Sequence, residues 1–163
     1  MAISGTASSD VLSGTGSADS ISGLSGSDTI SALDGSDLIF GNQGADSILG
    51  AGGSDTIYGG QGSDRIEGSD GKDLILGNFG NDTITAGADN DTIYGGQDND
   101  SISANSGADV IFGNVGNDVI SAGTGADTAQ GGPGDDVIYG GGDSDLLFGD
   151  AGNDTVIGSD GAD

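Results

Sequence analysis

Asp recurs at every ninth residue of this chain, eighteen times without an insertion or deletion. The series is Asp10, Asp19, Asp28, Asp37, Asp46, Asp55, Asp64, Asp73, Asp82, Asp91, Asp100, Asp109, Asp118, Asp127, Asp136, Asp145, Asp154 and Asp163. With Gly5 as position one, Asp falls at position six of every copy. Seventeen full nonapeptides end at Ile157, and a partial one ends at Asp163. A period held this long specifies a solenoid, in which each unit packs only on its neighbours. The 163 residues are short enough for a single domain over 1–163.

Position eight is aliphatic in every copy, mostly Ile, and Ala129 is the one small residue there. Alternate side chains of a strand face opposite ways, so position eight points inward while seven and nine point outward. β-branched Ile suits such a pleated, half-buried surface. Position one is always Gly or Ala, and position four is mostly Gly, as a tight turn requires. Each unit therefore reads as a six-residue turn followed by a three-residue strand. A second period of 18 overlies the first. Position nine carries Phe40, Tyr58, Leu76, Tyr94, Phe112 and Phe148 in alternate repeats, and mostly Ser, Thr or Glu67 in the others. Two nonapeptides per turn, one in each of two sheets, accounts for it. The fold class is all-β, a parallel solenoid of about nine turns of 18 residues.

The formal net charge is −25, with only Arg65 and Lys72 basic. Such a chain repels nucleic acid and repels itself, and its natural partner is a multivalent cation. It has no Cys and no His, which removes thiolate sites, the commonest zinc ligand and the commonest general base. No apolar run approaches membrane-spanning length, and the N-terminus lacks the regions of a cleaved signal peptide. A carboxylate after a Gly-rich turn, two residues before an aliphatic side chain, points to calcium. That ion takes six to eight hard oxygens, and Asp reaches it from a tight turn with little slack.

The units GGQGSDRIE from Gly59, GNVGNDVIS from Gly113 and GGPGDDVIY from Gly131 resemble the RTX nonapeptide, G-G-x-G-x-D-x-U-x, where U is a large aliphatic. The resemblance covers nearly the whole chain. It implies a right-handed parallel β-roll with several Ca2+ ions along each edge, held between turns stacked 18 residues apart. It also implies that the eighteen position-six carboxylates and the carbonyls of the Gly-rich turns are the ligands, Asp46 working with Asp64 and Asp55 with Asp73. Ser8 and Ser17 replace the position-four Gly in the first two repeats, so weaker binding is expected there. The other Asp residues, such as Asp34 and Asp70, read as turn residues, of which a minority could add a second carboxylate.

These features predict a calcium-binding structural or assembly protein, secreted or on a bacterial cell surface, that folds on calcium. The alternative is a calcium-binding segment of a larger secreted enzyme, toxin or adhesin. The mixed outward rows disfavour an ice-binding array. No enzyme is expected, since nothing departs from the repeat where catalytic groups could cluster. Self-association is expected head to tail, because Ala2 and Ile3 fall at positions seven and eight and continue the phase left by Asp163. Lateral packing is expected through the row from Leu38 and Phe40 to Leu146 and Phe148.

Overall fold

Equivalent positions of the repeat return every 18 residues, so each segment can pair in parallel with its own equivalent one turn away. A computed structural model describes residues 1–163 and shows this arrangement. The strands are β1 (Ala2–Ser4), β2 (Val11–Ser13), β3 (Ser20–Ser25) and β4 (Thr29–Ser31). Fourteen six-residue strands follow, from β5 (Leu38–Gln43) to β18 (Thr155–Asp160). The odd-numbered strands form one nine-stranded sheet and the even-numbered strands a second. Register is exact in type: Ile39 pairs with Ile57, and Ile84 with Ile102. The solenoid has nine turns and is about 43 Å long at strand spacing.

The strands are longer than the sequence pattern suggests. A full strand covers positions seven to nine and runs on through positions one to three, so the turn proper is three residues. Asn42 pairs with Gly60 and Gln43 with Gln61, in the half expected to be turn. The reason is stacking: the Gly-rich half also meets its own copy one turn away, and its backbone groups pair there. The chain bends at position two, which is left-handed from Leu24 onward, and turns again at position four. Leu24, Leu33, Asn42, Ala51 and Ser69 hold position two with φ between 73° and 85°. In β1 and β2 the strand stops early, where Thr6 and Thr15 at position two stay out of this region and turn onto a carboxylate, and β4 beside β2 is equally short.

One aliphatic side chain per repeat fills the interior. The Ile side chains from Ile21 to Ile138 are buried, and Ala129 is buried among them. Position one also faces inward, and Ala32, Ala86, Ala104 and Ala122 join the core from the second sheet. Ile3, Leu12 and Leu147 pack against its two ends. Outside, the first sheet carries the aromatic row. Phe40 stacks on Tyr58 at 5.0 Å and Tyr94 on Phe112 at 4.9 Å, ring planes within 10°. Leu38, Val110, Leu146 and Phe148 of the same face remain exposed.

Leu33 sits at φ 73° and is exposed. A β-carbon in the left-handed region costs roughly 1–2 kcal/mol. Leu33→Gly should therefore raise the stability of the calcium-bound protein by about 1 kcal/mol, after the extra entropy Gly loses on folding. Denaturant unfolding at fixed calcium measures it, and a loss of stability would show that the leucine side chain outweighs the backbone strain.

Candidate metal centre

The short turns place position six at the two edges where the sheets meet. Asp10, Asp28, Asp46, Asp64, Asp82, Asp100, Asp118, Asp136 and Asp154 stack along one edge, each 18 residues after the last. Asp19, Asp37, Asp55, Asp73, Asp91, Asp109, Asp127, Asp145 and Asp163 stack along the other. The fifteen from Asp19 to Asp145 are buried, only 1–6 % exposed. That depth is unusual for carboxylates, of which only Asp19 has a cationic partner, the Met1 amino group.

Each carboxylate divides its two oxygens. Asp64 Oδ1 accepts the Asp46 backbone N–H at 2.8 Å, and Asp73 Oδ1 accepts that of Asp55 at 2.8 Å. The same bond joins successive Asp residues along both edges, so the expected pairs are brought together. The second oxygen, Oδ2, is buried without a partner in all fourteen Asp from Asp28 to Asp145. It points at the α-carbon of position one. A Cβ on Gly59 would lie 2.6 Å from Asp64 Oδ2 and 2.8 Å from the Gly77 carbonyl oxygen one turn on. On Gly50 it would meet Asp55 Oδ2 at 2.5 Å and the Gly68 carbonyl at 2.9 Å. A carboxylate oxygen and a carbonyl oxygen of the next turn thus converge on one spot in these repeats, as they do at Gly77, Gly95 and Gly113.

Burial without compensation raises the carboxylates. Burial pushes Asp82 up to about 8, assisted by repulsion from Asp100, Asp64 and Asp98 and opposed by the Asp64 N–H. It takes Asp73 and Asp100 to about 7. Asp55, Asp64, Asp91, Asp118 and Asp127 rise to about 6 for the same first reason. Asp37, Asp46, Asp109 and Asp136 are raised too, again by burial.

The donor set fits calcium: hard oxygens only, with anionic oxygens facing a dry interior and carbonyls beside them. No three carboxylates converge on a point, which leaves the carbonyls beside each Oδ2 as the further protein oxygens on offer. The ends of the columns differ. Thr6 donates to Asp10 Oδ2 through its N–H at 2.6 Å and its hydroxyl at 2.9 Å, and Thr15 does the same to Asp19 at 2.7 and 2.8 Å. Asp154 is half-buried and Asp163 exposed. The eight Asp residues off position six are all exposed. Of these, Asp89, Asp98 and Asp143 take the left-handed position-four conformation in place of Gly.

A second polar column went unread in the sequence. Position five bonds in the opposite sense: Ala45 N–H donates to Ser27 Oγ at 3.3 Å, Asn99 N–H to Asn81 Oδ1 at 2.9 Å, and Asn153 N–H to Asp135 Oδ1 at 2.8 Å. These bonds from Asn153 hold Asp135 below the usual carboxylate range. The signal was there, since position five holds only Ser, Ala, Asn, Asp and Lys72.

A parallel solenoid with a stacked column of inward-facing carboxylates on each edge defines a class of metal-dependent repeat proteins. The chain matches the family model of the RTX calcium-binding nonapeptide repeat over residues 4–39, 31–66, 67–102, 94–129, 121–156 and 130–163. It belongs to that family, and membership implies calcium binding. No curated protein matches the chain closely enough to stand beside it as a relative.

The raised carboxylates set a pH dependence. Folding lifts each pKa above its unfolded value of about 3.9, so the solenoid binds these protons more tightly than the unfolded chain does. Their contribution is fully present below about pH 4 and is lost as pH climbs through about 6 to 8, where Asp64, Asp73 and Asp82 titrate. Metal-stripped protein should therefore keep more strand signal at pH 4 than at pH 8 by far-UV circular dichroism. Because protons compete for the same oxygens, the calcium midpoint should rise as pH falls through about 8 to 6. A metal-free strand signal that grows with pH would contradict the burial of these groups.

Proposed function

We propose that this chain is an extracellular structural protein that folds on calcium, with the position-six carboxylates and the adjoining turn carbonyls as ligands. The observation that carries the reading is the row of fourteen buried, unpartnered Oδ2 atoms. A bound cation supplies the positive charge that lets neighbouring carboxylates lie one turn apart. At low calcium the charge of −25 and the thin core favour the unfolded chain, and millimolar extracellular calcium favours the solenoid. Proteins with this repeat are typically secreted by bacteria. In the first two repeats the Thr6 and Thr15 hydroxyls already satisfy Oδ2, which supports weaker calcium binding there. The chain carries no catalytic role in this reading, since each repeat presents the same polar set. No helix is long and apolar enough to cross a membrane.

A second part of the reading is assembly. Both sheets end in strands paired on one side only, β1 and β2 at one end and β17 (Leu146–Ala151) and β18 at the other. Ile3 already pairs in register with Ile21. Such edges accept a second copy in a non-closing, head-to-tail contact. They equally accept further repeats of a longer secreted enzyme, toxin or adhesin, which is the alternative reading.

Adding calcium to stripped protein at neutral pH should convert a disordered circular dichroism spectrum to a β spectrum, and a full β signal in excess chelator would sink the calcium reading. Asp82→Ala removes the acceptor of the Asp64 N–H along with a ligand. It should cost about 3–5 kcal/mol of calcium-bound stability, and Asp10→Ala less than about 1 kcal/mol. Asp82→Asn keeps an acceptor but loses the charge, so it should weaken calcium affinity while stabilising the metal-free fold. Equal calcium midpoints for Asp82→Asn and the parent would remove Asp82 from the ligand set.

Assembly has its own readout. Light scattering should show particles that grow in calcium and return to single chains on chelation. A constant single-chain size in calcium favours the segment reading.

A further inference from the structure

The first sheet carries a groove that calcium binding does not use. It follows the bend at position two and is lined by positions two and three, with Leu76, Tyr94 and Phe112 of position nine joining farther along. Three adjoining hollows follow this bend along the solenoid, of about 410, 390 and 140 Å³. The first two share Asn78 and Phe79, and the last two share Asn114, so together they form one channel running from Leu24 to Pro133. Its floor alternates: Asn42, Asn78 and Asn114 with Gly60, Gly96 and Gly132. The chemistry thus repeats every two turns, about 9.5 Å at strand spacing.

The lining narrows what can lie there. No charged side chain lines any of the three hollows, in a chain of net charge −25. An anionic polymer is repelled by the rest of the molecule, and a cationic one finds its charges elsewhere. Position-two and position-three backbones are already paired with the next turn, as in Asn78 with Gly96 and Phe79 with Gln97. A peptide strand therefore finds no free backbone to pair with. What remains on offer is amides and rings. The Asn78 and Asn42 amide groups are oriented by donating to the Leu76 and Phe40 carbonyls at 3.2 Å. The Gln61 and Gln97 amides stand exposed in the outer wall. Phe79 lies at the junction of the two larger hollows and is 49 % exposed, with no partner for its ring. Amides beside an uncovered ring suit hydroxyl-rich rings with apolar faces. A channel open along its length suits a polymer rather than a compact metabolite.

We propose that this groove binds a neutral polysaccharide chain lying along the solenoid axis, one disaccharide to each Asn–Gly period of the floor. The sugar hydroxyls meet the Asn and Gln amides, and one sugar face covers Phe79. The inference rests on the reading of the chain as calcium-folded and extracellular, where such polymers occur.

Native gel electrophoresis in calcium, with hydroxyethylcellulose or galactomannan cast into the gel, tests it. The parent should be retarded by at least one of these polymers. The triple variant Gln61→Ala, Phe79→Ser, Gln97→Ala should lose affinity about tenfold or more. Thr85→Ala, on the outer face of the second sheet, should bind as the parent does. Circular dichroism on the same samples separates the two readings. No calcium-induced folding overturns the function proposed above, whereas normal folding without retardation overturns the groove alone. Retardation that survives the triple variant also overturns it. So does a parent that sediments as a dimer and a triple variant that sediments as a monomer, because a second copy then occupies the groove.

Discussion

Carboxylates buried at the two edges, each one turn from the next, govern this molecule. One oxygen of each Asp ties neighbouring turns by accepting a backbone N–H, as Asp64 does from Asp46 at 2.8 Å. From Asp28 to Asp145 the other oxygen is held in the dry interior with nothing to bond. The same side chain therefore binds the solenoid together and, when charged, drives it apart. The interior cannot absorb that conflict, since each repeat contributes a single aliphatic side chain and a methyl at most from position one. That leaves the unmet Oδ2 atoms at the edges, not the interior, as the place where a cation or a proton acts on stability.

The backbone serves that edge. Left-handed residues at positions two and four swing the chain around so that position six returns to the interior. Position one must stay small because Asp Oδ2 and the next turn's carbonyl crowd its α-carbon, as at Gly59. The position-five column adds a second tie running the other way, from Asn153 to Asp135 and from Asn99 to Asn81. With the edges and interior committed, only the outward positions are free to differ. The two faces do differ: stacked rings and an uncharged groove on the first sheet, Ser, Thr and charge on most of the second. Variation between the faces is confined to the positions that the repeat leaves unconstrained.

The ends show how the same scaffold is adjusted locally. At Thr6 and Thr15 a hydroxyl and a backbone N–H take the Oδ2 atoms that elsewhere lack partners. Those turns give up the left-handed position and their strands shorten. The expectation of weaker N-terminal binding began from Ser8 and Ser17 at position four. In the structure Thr6 and Thr15, two residues earlier in each repeat, also donate to the Asp10 and Asp19 Oδ2 atoms.

Much of this was legible in the order of residues alone. A strict period of nine with an overlay of 18, Ile at position eight and Asp at position six lead to a two-sheet parallel solenoid, an aliphatic interior and stacked carboxylates. They do so because in a solenoid residues one turn apart in sequence are neighbours in space. The extent of the strands was not legible. Positions one to three look like turn, and only the stacking of Asn42 on Gly60 and Gln43 on Gln61 makes them strand. Nor was the division of labour within each carboxylate, which depends on where the N–H of the preceding turn falls. The position-five ties and the groove between Asn78, Phe79 and Gln97 likewise exist only once turns are set side by side. Periodicity determines which residues meet; the bend at position two and the spacing between turns decide which of their atoms are satisfied and which are left exposed.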